Sequence, residues 1–262
     1  MRLTVVGCSG SFAGPDSPAS CYLLETEHEG RTWRIVLDLG SGALGALQRH
    51  TDPLALDAVV LSHLHPDHCL DLTGLHVMRS HHPTGRRDGR LPVHGPDGTA
   101  ERMARAHGVE GATDLGDVFS FVPVADRREF MIGPFRLVPL RVHHPVEAYG
   151  YRVSVGGVTL AYTGDTDACE ALGPLMADAD LVLADSAFVE GRDTTRGIHL
   201  SGRRAAQAAV AAGGVQRLML THIPAWNDPA VCRAQAAEVW PGEVELAEPG
   251  RTYALGLESG GS

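Results

Sequence analysis

Short apolar runs, cut apart by glycine, proline and polar clusters, dominate this chain. That pattern predicts strands buried in sheets. Strands are expected over 2–6, 56–61, 91–94, 118–124, 135–142, 181–184 and 218–220. Residues 21–26 and 32–39 alternate and predict a hairpin across the turn at 27–31. A second hairpin, 149–155 with 158–162, turns over Gly156-Gly157. Helices are expected over 43–49, 69–78, 97–107, 202–212 (capped by Ser201) and 229–239. His81-His82-Pro83 and 85–89 read as a polar, solvated loop, in which His81 and Arg86 are the side chains nearest to a substrate role. Strands outnumber helices and interleave with them, and no repeat or low-complexity linker divides the chain. The expectation is an α/β fold in a single domain, 1–258, with a disordered tail at 259–262.

Two polar features sit in the first forty residues. Gly7-Cys8-Ser9-Gly10-Ser11 follows the first strand as a glycine loop, and 14–18 continue as irregular turn. The loop lacks GxGxxG and a P-loop lysine. It is either an ordinary turn or a place where backbone comes close to a ligand. Asp38 ends the hairpin. Its position favours capping the helix over 43–49; the other reading is that it orients an imidazole nearby.

The candidate chemistry gathers in Leu61-Ser62-His63-Leu64-His65-Pro66-Asp67-His68-Cys69-Leu70-Asp71. It leaves the buried strand 56–61, where α/β proteins place functional loops. His63 and His65 are two residues apart, so an extended backbone points both rings the same way. Asp67 and His68 come from the following turn and can face a second centre. Further along, 135–142 runs to His143-His144, 158–162 to Asp165, and 218–220 to His222. Ligand-type residues recurring at strand ends suggest one site along a sheet edge. The tally is His63, His65, His68, His144 and His222 with Asp67 and Asp165. Seven donors exceed one tetrahedral zinc and suit two divalent cations sharing a carboxylate. Imidazole and carboxylate suit zinc, with manganese or iron as substitutes. Eight histidines (28, 50, 76, 81, 82, 94, 107 and 143) are assigned no role.

Composition narrows the partners. Lys+Arg is 22 against Asp+Glu 32, a formal charge of −10. Nucleic-acid affinity comes largely from cations on phosphates, so polyanions are disfavoured. A small phosphorylated ligand in a locally positive metal site is not. Cysteines 8, 21, 69, 169 and 232 contain no CxxC pair and read as reduced thiols of a cytoplasmic protein. No apolar run is long enough to span a membrane. Val5-Val6-Gly7-Cys8 looks like a lipoprotein cleavage site, but its apolar stretch is far shorter than the roughly 7–15 residues of a signal peptide.

His63-Leu64-His65-Pro66-Asp67-His68 resembles the HxHxDH motif of the metallo-β-lactamase superfamily. The likeness runs from the first strand to about residue 226. It implies a four-layer αβ/βα sandwich with metals at one edge. It implies His63, His65 and His144 at one metal, Asp67, His68 and His222 at the other, and Asp165 bridging. His143 is the rival of His144. The run from His144 to Tyr151 is similar to the segment after the third ligand in ribonuclease Z-like members. In those members a histidine before a late helix assists the leaving oxygen, and His199-Leu200-Ser201 stands in that context. With Asp67 orienting the nucleophile, Asp67 and His199 are the implied catalytic residues. Asp185 stands where several relatives have glutamate, and a supporting role is expected of it.

The fullest resemblance is to actinobacterial members of similar length, through 7–11, 14–20, 44–50, 67–72 and 199–202. At least one of that group is described as a cAMP phosphodiesterase. The implied activity is hydrolysis of 3′,5′-cyclic nucleotides to 5′-nucleotides, with a small-molecule phosphodiester as partner and a homodimer allowed. Ribonuclease Z-like enzymes carry a Gly/Pro-rich arm for tRNA, which is missing here. Other activities on this fold are an RNA 3′-end endonuclease and a thioester or lactone hydrolase. A metal-binding scaffold or sensor is the non-enzymatic reading.

Overall fold

A computed structural model describes residues 1–83, 89–109 and 115–256. Arg86 and the tail at 259–262 lie outside the described residues. The first half forms β1 (Arg2–Gly7), β2 (Cys21–His28), β3 (Arg31–Leu37), α1 (Ala43–Leu47), β4 (Ala58–Val60), α2 (Pro66–Cys69), α3 (Leu72–His81), β5 (Leu91–Gly95), α4 (Thr99–His107) and β6 (Phe119–Pro123). The second half forms β7 (Phe130–Ile132), β8 (Phe135–Arg141), β9 (Tyr149–Val155), β10 (Val158–Tyr162), α5 (Leu172–Met176), β11 (Leu181–Asp185), α6 (Gly202–Ala212), β12 (Leu218–Thr221), α7 (Pro229–Ala237), β13 (Val244–Leu246) and β14 (Thr252–Ala254).

Among the described residues these strands make two seven-stranded sheets. Their orders are β14-β1-β2-β3-β4-β5-β6 and β13-β12-β11-β10-β9-β8-β7. Alternation along each strand decides the layers. Val5, Leu24, Ile35, Leu37 and Val60 face Leu137, Tyr151, Val153, Leu183 and Met219 of the other sheet. Their neighbours Val6, Leu23, Val36 and Val59 face outward onto Leu47, Leu72 and Leu75 of the first helices. On the far side, Val182, Ala184, Leu218 and Leu220 pack on Leu175, Ala205, Ala209 and Ala236. The result is the expected four-layer αβ/βα sandwich.

Both expected hairpins form. The β9–β10 turn needs positive φ at two successive residues, and Gly156 (57°) and Gly157 (84°) supply it. Strand β3 stops at Leu37, short of the expected 39, because Asp38 adopts φ 59°. The helix expected over 69–78 is two pieces, α2 and α3, and His81 is an exposed residue at the end of α3 rather than in a loop. Strands β7, β13 and β14 and helix α5 are three to five residues long, too short for periodicity to reveal. Among the described residues no helix is long and apolar enough to cross a membrane.

Direction matters most for the site. Strands β3, β4, β5 and β6 run parallel. In the second sheet β8 and β10 are both antiparallel to β9, and β10, β11 and β12 are parallel. The carboxyl ends of β8, β10, β11 and β12 therefore share one edge. Tyrosines buried between the sheets tie that edge: Tyr151 Oη donates to the Leu61 carbonyl at 2.8 Å, and Tyr22 Oη meets Thr221 Oγ1 at 2.6 Å. Tyr151→Phe leaves that buried carbonyl unpaired. We expect a loss of about 1–3 kcal/mol in chemical denaturation; unchanged stability would mean water replaces the phenol.

Candidate metal centre

Each strand ending on this edge leads into at least one polar side chain of the site. β3 leads to Asp38, β4 to Ser62 and His63, β8 to His144, β10 to Asp165, β11 to Asp185, and β12 to His222. Pro66 starts α2 and fixes its first turn, so Asp67 and His68 project from a rigid corner. All seven expected donors converge. His63, His65 and His144 form one group, and Asp67, His68, Asp165 and His222 another. A third overlaps the second: Asp165, Asp185, His199 and His222.

In the first group His65 Nδ1 lies 3.0 Å from His63 Nε2 and 3.2 Å from His144 Nε2. His144 Nδ1 donates to the Ile198 carbonyl at 2.9 Å, which turns Nε2 inward. His143 is exposed, and its backbone N–H donates to Thr166 Oγ1. Geometry therefore places His144, not His143, in the group.

In the second group His68 Nε2 lies 3.2 Å from His222 Nε2, 3.2 Å from Asp165 Oδ1 and 3.3 Å from Asp67 Oδ2. His222 Nε2 is 3.1 Å from Asp67 Oδ2 and 3.4 Å from Asp165 Oδ2. Asp165 also reaches the first group, with Oδ2 3.6 Å from His63 Nε2.

These donors fit cations. Around a tetrahedral zinc with bonds of 2.0–2.1 Å, ligand atoms stand about 3.3–3.4 Å apart. The observed separations are close to that. Asp165 Oδ1 and His222 Nδ1 are buried without a well-aligned hydrogen bond, though each lies within ion-pair distance of an oppositely charged group; buried polar atoms left so are costly, and a cation would complete the arrangement.

Electrostatics separate the two groups. Burial and the imidazoles around it hold His63 well below its ordinary value, and burial likewise lowers His65 and His144. Burial also opposes charge on His68 and His222. There, however, Asp165 and the other carboxylates prevail, raising His68 and pushing His222 up to about 10. Asp165 and Asp67 are held below the carboxylate range by those same imidazoles, against burial. A metal needs its imidazoles neutral, so a cation entering here takes over the protons' neutralising role.

Asp38 is the correction of most consequence. It caps nothing: Gly42 stands at the start of α1, and Asp71 Oδ2 accepts from the Leu44 N–H. Asp38 Oδ2 instead accepts from His68 Nδ1 (2.7 Å), Ser62 Oγ (2.8 Å) and Tyr162 Oη (2.6 Å), and Oδ1 accepts from the Ser62 N–H (2.6 Å). Its signal in sequence was weak, because its partners come from the loop after β4, from α2 and from the opposite sheet.

The glycine loop is equally non-local. A Cβ on Gly10 would stand 2.3 Å from the His222 carbonyl oxygen. The Ser11 N–H points at His222 Nε2, 3.3 Å away. Glycine here admits the His222 backbone, and Ser11 was not singled out by sequence reasoning.

His199 reaches the same edge. Its Nδ1 is 2.9 Å from Asp185 Oδ2, so Nε2 is the free nitrogen. Burial disfavours its charged form, but Asp185 and Asp165 outweigh that and hold it above its ordinary value. A cavity of about 290 Å³ opens over Ser11, His65, Asp67, His144, Asp165 and His199.

A family model described as the beta-lactamase superfamily domain matches residues 33–223. This chain belongs to the beta-lactamase superfamily. It is similar to an uncharacterized protein of Mycobacterium leprae (strain TN), 42% identical over 256 residues, 97% of this chain and 88% of that one. It is 30% identical over 251 residues to YhfI of Bacillus subtilis (strain 168), 95% of this chain and 98% of that one. The crystal structure of YhfI, titled a metallo-beta-lactamase fold protein, superposes with a TM-score of 0.85 over 97% of this chain and 99% of that one, at 28% identity. Ribonuclease Z of Haloferax volcanii is 26% identical over 310 residues, 96% of this chain and 94% of that one.

Asp38→Asn places an amide where three donors converge. We expect metal affinity to fall about 10–100-fold, measured by chelator competition; unchanged affinity would strip Asp38 of an orienting role.

Proposed function

We propose that this chain, as one hydrolase domain, is a two-metal phosphodiesterase that opens 3′,5′-cyclic nucleotides such as cAMP to 5′-nucleotides. The observation that carries the reading is His199. It is fixed by Asp185 and lines the same cavity as the donor groups. His63, His65 and His144 would hold one divalent cation, Asp67, His68 and His222 the other, with Asp165 shared. Zinc suits this set, and manganese or iron could replace it. When bound, such a pair supplies an activated water and neutralises charge on the phosphoryl oxygens.

The chain's own groups do the rest. Asp67 borders the cavity and accepts a hydrogen bond from the attacking water, aligning it with phosphorus. His199 Nε2 delivers a proton to the 3′ oxygen as the P–O3′ bond breaks. Asp185 holds the ring in orientation and favours its protonated form.

A cyclic mononucleotide suits this site better than RNA on two counts. The cavity, about 290 Å³, sits at the small end of the roughly 300–1,000 Å³ typical of ligand pockets. A formal charge of −10 opposes a polyanion. The similarity to ribonuclease Z of Haloferax volcanii favours the second reading, an RNA 3′-end endonuclease on the same residues. All five thiols are free, and the cytoplasm is the proposed location.

Three measurements test this. Purified protein is offered cAMP, bis-p-nitrophenyl phosphate, pre-tRNA, an acyl thioester and a lactone. We expect cAMP to turn over fastest; inert cAMP beside rapidly cut pre-tRNA reverses the order. Metal analysis should find about two ions per chain, and chelation should abolish turnover; none after metal-replete purification removes the enzyme reading. His199→Ala should lower kcat by about 10²–10⁴ with metal content intact, and an unchanged kcat takes the proton transfer away from it.

A further inference from the structure

Two large aromatic side chains stand in the open beside the site. Phe12 is 40% exposed and Trp226 is 63% exposed. Their ring centroids are 4.8 Å apart, at 44°. No core holds them. Both belong to loops that build the centre: Phe12 follows Ser11, which lines the cavity, and Trp226 lies four residues beyond His222.

The backbone under Phe12 is held in a specific shape. Ser11 adopts φ 63°, a conformation L residues take at a cost. The Phe12 N–H closes a tight turn onto the Gly10 carbonyl at 2.7 Å. The Ser11 N–H faces His222 Nε2, and Ser9 bridges Ile223 in parallel. The two loops are thereby locked together, with one exposed ring on each. Exposed aromatic area held next to a small cavity that contains titratable groups marks a recognition surface.

We propose that the Phe12–Trp226 pair is a stacking platform for the base of the nucleotide whose phosphate enters the neighbouring His/Asp cavity. The platform rests on the cyclic-nucleotide reading above and extends it to the substrate's other end. A 3′,5′-cyclic nucleotide carries its base one sugar ring away from phosphorus. The cavity is small, about 290 Å³, and the donor groups occupy its floor, so a purine attached to a phosphate held there has room to extend only toward its rim. The open rings at the rim offer it an apolar contact. Stacking on aromatic faces tolerates every base, so the platform recognises that a base is present more than which one.

The test compares cAMP with the 3′,5′-cyclic phosphate of 1-O-methylribose, which has no base, using the metal-loaded full chain. Phe12→Ala and Trp226→Ala should each raise KM for cAMP by about 5- to 100-fold with little change in kcat, and leave KM for the baseless substrate near wild type. Trp226→Phe, which keeps a ring, should retain most of the affinity. KM values that move alike for both substrates, or not at all, overturn the platform. So does a Trp226→Ala variant that only becomes smaller by light scattering, since the pair would then be a contact between copies. If wild-type protein ignores cAMP, the phosphodiesterase reading fails by itself. The platform is then judged by binding: 5′-AMP, and not ribose 5-phosphate, should quench the exposed indole, and Trp226→Phe should lose the quench. Equal quenching by both ligands, or none, overturns it.

Discussion

One buried carboxylate holds this centre in register. Asp38 is fully buried, and taking an ion out of water costs several kcal/mol. Four short hydrogen bonds offset that cost. Their donors come from the loop after β4, from α2, and from β10 of the opposite sheet. Fixing one oxygen atom thus fixes the His68 ring, the turn that starts the histidine run, and the spacing of the two sheets at their common edge. The positive φ of Asp38 belongs to the same device. It ends β3 and turns the side chain toward Ser62 rather than along the sheet.

Seven donors were legible because the strands that carry them are legible. An apolar run followed by histidine or aspartate needs no partner to be noticed, and β4, β8, β10 and β12 each supply one. Parallel alignment then brings those ends together. The residues that orient the donors were harder to see. Asp38 sits next to Ser62 only because β3 and β4 are parallel with Leu37 opposite Val60. Nothing local states that register. The glycine loop posed the same problem, since Gly10 makes room for a backbone more than two hundred residues away. The short edge strands β13 and β14 escaped notice for another reason: three residues carry no period.

The loop that presents His199 is tied down by charge as well as by the burial of Leu200 in the core. Asp167 is buried and accepts from the Gly197 N–H at 2.7 Å while pairing with Arg204. Arg204 Nε also reaches Glu190 Oε1 at 3.0 Å, and that same oxygen accepts from Ser201 Oγ. The network spans from two residues before His199 to five after it, and it anchors both ends of the segment to α6. Buried ionic networks of this kind gain more in fixed geometry than in net stability. The proton transfer proposed for His199 would need that, because a displacement of about 1 Å can cost a factor near 10² in rate.

Charge also bears on the anionic substrate proposed for this acidic protein. The carboxylates at the centre, Asp38, Asp67, Asp165 and Asp185, lie buried among imidazoles, and the excess acidic residues are elsewhere on the chain. Divalent cations at the donor groups would dominate the local potential at the cavity. The outer surface, screened beyond roughly 8–10 Å at physiological salt, would then repel a long polyanion along its length. It would act much less on a single phosphodiester seated at the metals. On the proposed reading, net charge and local charge would together select for size, favouring a ligand short enough to lie wholly within the field of the centre over one that must trail across the surface.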